Sequence, residues 1–208
     1  MAHIKLNQAS VEIPIYSNHN RSIKNSLLKN FTKDKVLPHS VKALNNITLD
    51  LKDGDRLGVM GPNGAGKSTL LRTLAGVYHP TSGSIDVSGS SASLIDISLG
   101  MDSEATGYEN IRMRAIMMGM TLKQIKTIEE EIADFTELGK FLELPVRTYS
   151  TSMHMRLGFA VSTTVPADII LMDEWLSVGD SDFIIKAEKR LHDYIQKSSI
   201  LVIASHSE

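Results

Sequence analysis

Apolar and polar residues alternate strictly at Val11, Ile13 and Ile15, and again at Ile47, Leu49 and Leu51, the period-two pattern of half-buried strands. Asp53-Gly54 supplies a turn into a further strand at Arg56 to Met60. Between the first two runs lies a polar insert, residues 17–40. Ile23, Leu27 and Leu28 have helical spacing within it, so a short amphipathic helix and a solvated loop both stay open. After Met60 comes a Gly-rich turn, and the pattern then predicts a helix from Lys67 to Ala75 that Gly76 terminates. Short strands are expected near Ser84 to Val87 and Ala92 to Ile97. From Tyr108 to Val165 the period becomes helical. Thr121 and Gln124 are spaced as a capping box, and Leu122, Ile125, Ile128, Ile132, Phe135 and Leu138 recur at threes and fours. Glu129, Glu130 and Glu131 then fall on the solvated side of that helix. Asp168 to Met172 and Ser199 to Ala204 read as buried strands on either side of an amphipathic helix, Asp182 to Gln196. This order predicts an α/β core carrying a helical insertion.

Composition narrows the function. The 208 residues, 42% of them hydrophobic, suffice for one domain with a substantial core and an inserted subdomain. A net charge of −2 argues against nucleic acid as a partner, because phosphate-coating proteins need a marked basic excess. With no cysteine, disulfides, thiolate zinc sites and cysteine nucleophiles are excluded. The longest apolar runs, Ile169 to Met172 and Ile200 to Ala204, fall far short of the ~18 residues of a spanning helix. The first five residues lack the pattern of a secretory signal. Any work at a membrane therefore goes through a partner.

The most informative stretch is Gly61, Pro62, Asn63, Gly64, Ala65, Gly66, Lys67, Ser68 and Thr69, which fits G-x-x-x-x-G-K-[ST]. Backbone N–H groups can converge on phosphate oxygens only where glycines are free to take positive φ and leave room for the anion. The loop must also run into a helix N-terminus, whose unpaired N–H groups and dipole favour negative charge. Lys67 is placed to neutralise β- and γ-phosphates, and Ser68 to offer a hydroxyl to Mg²⁺. An apolar strand before the loop and a helical pattern after it fit that context.

Ile169 to Glu174 is a buried strand ending in two acids. Ligands of parallel α/β sheets sit at the carboxyl ends of strands, which directs Asp173 to the phosphate loop, where it can hold Mg²⁺. Glu174 is then placed to polarise a water for attack on the γ-phosphate. His206 follows the last apolar strand and is directed to the same edge as a hydrogen-bond donor to the γ-phosphate.

Together these stretches resemble the ATP-binding subunit of an ABC transporter over nearly the whole chain, and most of all the branch that exports O-antigen and related cell-surface polysaccharides. The resemblance implies a P-loop NTPase fold of the ABC type, with an antiparallel β subdomain and a helical subdomain at about residues 103–165. Gly61 to Thr69 resembles Walker A, Ile169 to Glu174 Walker B with its catalytic glutamate, Leu176 to Asp180 the D-loop, and His206 the H-loop. Gly107 to Asn110 resembles the start of that branch's helical subdomain. Tyr149 to Met153 occupies the signature position, with Ser150 kept and both usual glycines replaced, by Thr151 and Ser152. In the family this segment completes the γ-phosphate site of the partner subunit, so Ser150 and Ser152 are expected to contact ATP across a homodimer. The metal-reaching glutamine is missing from its usual place, and Asp96 stands where it could take over the contact. The adenine-stacking aromatic of the family maps to Tyr16, with His39 as the alternative.

The resemblance further implies ATP and Mg²⁺ as cofactors, an integral membrane permease as partner and a lipid-linked polysaccharide as cargo. The ATPase is expected at the cytoplasmic face of the bacterial inner membrane, with the 17–40 insert near lipid. Two other classes share the loop: a P-loop kinase, which needs an acceptor site and a lid, and a non-transport ABC-type ATPase. The chain stops two residues after His206, and a C-terminal truncation is expected.

Overall fold

The computed structural model describes residues 1–15, 40–95, 97, 100–173 and 181–205. In chain order these form β1 (His3–Pro14), β2 (Ser40–Lys52), β3 (Arg56–Met60), α1 (Lys67–Leu74), β4 (Ser82–Ser88) and β5 (Ser91–Leu94). There follow α2 (Gly107–Met117), α3 (Leu122–Thr136), α4 (Thr151–Ser162), β6 (Ile169–Asp173), α5 (Ser181–Gln196) and β7 (Ile200–Ser205). Short 3₁₀ turns at Gly139–Glu143 and Val146–Thr148 bridge α3 to α4. None of the described helices is long and apolar enough to cross a membrane.

Two sheets organise the chain: an antiparallel one in the order β2-β1-β4, and a parallel one in the order β3-β7-β6-β5. β6 shows why the parallel sheet forms the centre. Its first four residues are all buried, as expected for a strand covered on both faces. Successive side chains of a strand point to opposite faces. Ile169 and Leu171 accordingly join the core shared with α1 and the antiparallel sheet, while Ile170 and Met172 join the core built with α2 to α5.

The registers then fix where chemistry can occur. β3 runs parallel to β7 with Met60 opposite Ser205, and β6 runs parallel to β7 with Asp173 opposite Ala204. The carboxyl ends of β3 and β6 therefore lie level, two strand spacings or about 10 Å apart.

Several sequence expectations need correction. β1 begins at His3, eight residues before the alternation at Val11. A bulge hides it: Ile4 and Leu6 point inward, the register shifts between Leu6 and Ala9, and Ala9 and Val11 are then the inward residues. Gln8 in that bulge takes φ 47°. β5 ends at Leu94, short of the expected Ile97. Leu122, counted in the apolar stripe of α3, is 66% exposed, because as the first helical residue it overhangs the neighbours that bury Ile125 and Ile132. The acidic run on α3 is only partly a solvated face. Glu129 accepts from Arg112 Nε at 2.5 Å with a side chain 16% exposed, and Glu131 pairs with Arg190 at 3.4 Å. These two acids tie α3 to α2 and α5.

Candidate functional site

The turn after β3 shows positive φ at Gly61 (154°), Gly64 (82°) and Gly66 (93°), the conformation expected of a loop whose N–H groups face one centre. Gly66 is the N-cap of α1 and makes no side-chain cap hydrogen bond. The first N–H groups of the helix are thus left without a capping oxygen, and they open on a cleft of about 630 Å³. Asn63 to Thr69 forms one wall; Val41, Lys42 and Ala43 of β2, Ile95 and Asp173 complete the described lining. α1 is held behind the cleft by Leu70, Leu71 and Leu74, buried against the parallel sheet. Thr73 also donates to the Thr69 carbonyl at 2.8 Å, and Gly76 at φ 76° ends the helix.

Lys67 curls back over its own loop. Its ammonium donates to the carbonyls of Gly61 at 2.6 Å and Pro62 at 3.1 Å, bonds that polyphosphate oxygens can replace with stronger charge-assisted ones. Asp173, at the carboxyl end of β6, lines the same cleft as Ser68. A hydroxyl and a carboxylate are oxygen donors of the kind Mg²⁺ takes when phosphates and water supply its other ligands. No group of three acidic, His or Cys side chains gathers among the described residues.

The segment from Ser150 lies elsewhere. Ser150 and Ser152 take no part in the lining of the cleft that holds Lys67. Ser150 caps α4: its hydroxyl accepts from Met153 N–H at 3.3 Å, and its oxygen lies 2.9 Å from that of Ser152. His154 Nδ1 is 3.0 Å from the Ser150 carbonyl; since a carbonyl only accepts, Nδ1 carries the proton. The two helix starts therefore differ, one self-capped on an exposed rim and one open on a cleft. Further along α4, Arg156 lies 4.6 Å over the Phe183 ring and pairs with Glu137 at 3.5 Å, so it joins three helices instead of facing a ligand.

Tyr16, Asp96, Glu174 and His206, His39, the insert at 17–39 and the stretch at 176–180 lie outside the described residues. The sequence reading missed Val41, Lys42, Ala43 and Ile95 in the cleft. β2 carries no motif there, and only the strand register brings its first residues to the loop.

The ABC transporter family model matches residues 44–177. The O-antigen export system ATP-binding protein RfbE of Yersinia enterocolitica is 44% identical over 99% of this chain and 88% of its own. The teichoic acids export ATP-binding protein TagH of Bacillus anthracis is 45% identical over 79% of this chain, which spans 30% of that relative. RfbB of Myxococcus xanthus, named for O-antigen export, is 41% identical over 80% of this chain and 38% of its own. Among solved structures, a dimeric post-hydrolysis ATP-binding cassette with ADP and Pi matches at TM-score 0.71 and 18% identity, over 98% of this chain and 88% of its own, a likeness of fold. An open helix start on a glycine-rich cleft, the level carboxylate of β6 and this kinship lead to one conclusion: the chain belongs to the ABC transporter family, as an ATP-binding domain whose ATPase activity is coupled to transport.

Proposed function

We propose that this ATPase drives an exporter of a lipid-linked, O-antigen-like cell-surface polysaccharide, acting at the cytoplasmic face of the inner membrane through a separate permease. The observation that carries the nucleotide site is the uncapped start of α1 facing a cleft with both Lys67 and Asp173. The export assignment draws its support from relatives named for O-antigen and teichoic acid export.

In this reading Gly61 to Thr69 wraps the β- and γ-phosphates, and Lys67 exchanges its loop carbonyls for phosphate oxygens. Ser68 and Asp173 hold Mg²⁺, with Asp96 as the further proposed ligand; the bound cation neutralises charge on the phosphates. Tyr16 is proposed to stack on adenine. Two copies pair so that Ser150 and Ser152 of each close over the nucleotide of the other, which accounts for their absence from their own chain's cleft. Glu174 takes a proton from the attacking water as its oxygen bonds the γ-phosphorus and the bond to the bridging oxygen breaks. His206 donates a hydrogen bond to the γ-phosphate. A single chain lacks part of the donor set and is expected to hydrolyse ATP poorly.

Glu174→Gln tests the mechanism. The variant should lose hydrolysis by about a hundredfold or more while ATP gathers it into a dimer; normal turnover would remove Glu174 from the role. Pull-down of the chain from detergent-solubilised membranes tests the transport assignment, with an integral membrane protein as the expected companion and a monomer that phosphorylates a small molecule as the contrary result.

A further inference from the structure

We infer that a second pocket, between α3, the end of α4 and α5, is the docking site for a short, extended, acidic segment of a partner protein. Its described lining shares no residue with the nucleotide cleft. Thr163, Thr164 and Pro166 line it and precede β6, whereas Asp173 ends that strand at the nucleotide. The pocket therefore lies toward the other end of β6, and its volume of about 360 Å³ suffices for the side chains of a bound segment.

Charge says what fills it. Lys186, Lys189, Arg190 and Lys197 line the pocket against Glu131 and Asp193, an excess of positive charge on a chain whose net charge is −2. Lys186 is satisfied within the chain, by Glu137 at 2.8 Å and the Phe135 carbonyl at 3.2 Å. Arg190 is satisfied less well. Its Nε donates to the Thr163 hydroxyl at 2.9 Å and its Nη2 to that of Thr164 at 3.0 Å, while its carboxylate partner Glu131 stands 3.4 Å away with a side chain 67% exposed. Burial lowers the Arg190 guanidinium from its ordinary value in spite of Glu131. The fold thus holds a half-buried charge at a cost, with N–H groups of its fork left over for a carboxylate.

Lys189 and Lys197 are exposed and make no ion pair among the described residues. Asp193, four residues from each, pairs with neither and leaves a negative point between them. Lys189 and Lys197 stand about 12 Å apart at the helical rise, the span of about four residues of an extended peptide. A segment with acids at both ends of such a span meets Lys189 and Arg190 at one end and Lys197 at the other. Its middle must be uncharged, because Asp193 repels an acid there. Phe135, Tyr194 and Pro166, in the same lining, offer apolar surface to that middle. A lone phosphate reaches one end only, so the spacing favours a peptide.

The test is fluorescence anisotropy of the full chain, saturated with Mg²⁺ and ADP to fill the nucleotide cleft, at physiological ionic strength. The probe is a fluorescein-labelled peptide with two glutamates on either side of three apolar residues, and its control carries glutamine in place of every glutamate. The acidic peptide should bind at least about tenfold more tightly than the control. Lys189→Gln with Lys197→Gln should weaken it about tenfold, with melting unchanged because both side chains are exposed. Asp193→Asn should tighten it about threefold, a gain that a damaged pocket does not give. Equal binding of the two peptides, or an affinity that neither the lysine pair nor Asp193→Asn moves, overturns the docking site. Displacement of the probe by inorganic tripolyphosphate at lower concentration than by unlabelled peptide overturns the peptide assignment in favour of a polyphosphate.

Discussion

Gly64 and Gly66 look interchangeable in a motif, yet their surroundings differ. Both have positive φ, 82° and 93°, which costs an L-residue about 1–2 kcal/mol. A Cβ at Gly64 meets nothing within 4 Å, whereas at Gly66 it meets a backbone carbonyl that cannot rotate away. Gly64→Ala should therefore cost about 1–2 kcal/mol in denaturant unfolding, and Gly66→Ala clearly more, with ATP binding lost as β2 is pushed off the loop. A second residue acts far from the cleft. Asp168 Oδ2 accepts from both the N–H and the hydroxyl of Ser90, each at 2.8 Å, and these bonds hold its carboxyl below the usual range. A lowered folded-state value means that the stabilisation is present above the ordinary carboxylate value, about 3.9, and is lost as pH falls through the lowered one. Asp168→Asn should melt below the wild type near neutral pH, and the gap should close in strong acid.

At the scale of elements, what was legible followed local rules. The box at Thr121 and Gln124 is present: Gln124 N–H donates to the Thr121 hydroxyl and Gln124 Oε1 accepts from Thr121 N–H at 2.9 Å. Its twin on α2, Thr106 with Glu109, has the same spacing but sits before a helix of weak amphipathicity, so periodicity did not lead to it. Thr121→Ala should cost about 1 kcal/mol in thermal or denaturant unfolding, with ATP affinity unchanged because α3 lines no part of the nucleotide cleft. The start of β1 was illegible for a physical reason: the bulge at Gln8 breaks the alternation on which strand recognition depends. The cleft wall from β2 escaped in the same way, since position in a sheet is a long-range property. The arginine ties were equally hidden. Arg56 donates to the carbonyls of Ser198 and Ser199, each at 2.9 Å, just past the end of α5, a partnership across more than 140 positions of sequence.

For the molecule as a whole, the decisive observation is that Ser150 does not line the cleft that holds Lys67. If each site is built from the Lys67 of one copy and the Ser150 of the other, two defective chains can repair one another. Lys67→Ala removes the phosphate cation. Ser150→Asp keeps a competent helix cap, since aspartate serves there as well as serine, but sets a carboxylate against the γ-phosphate. Each variant alone, in a Glu174→Gln background that holds ATP, should retain little nucleotide after gel filtration. In a mixed pair one site combines both defects and the other combines the intact Lys67 of one chain with the intact Ser150 of its partner. Random pairing of equal amounts makes half the dimers mixed, so about a quarter of wild-type sites should be recovered on mixing. Unchanged melting of Ser150→Asp would show that its own loss reflects charge at the interface and not a broken α4. A mixture that retains no more nucleotide than its components would mean that each chain builds its site alone, and the paired ATPase would have to be abandoned.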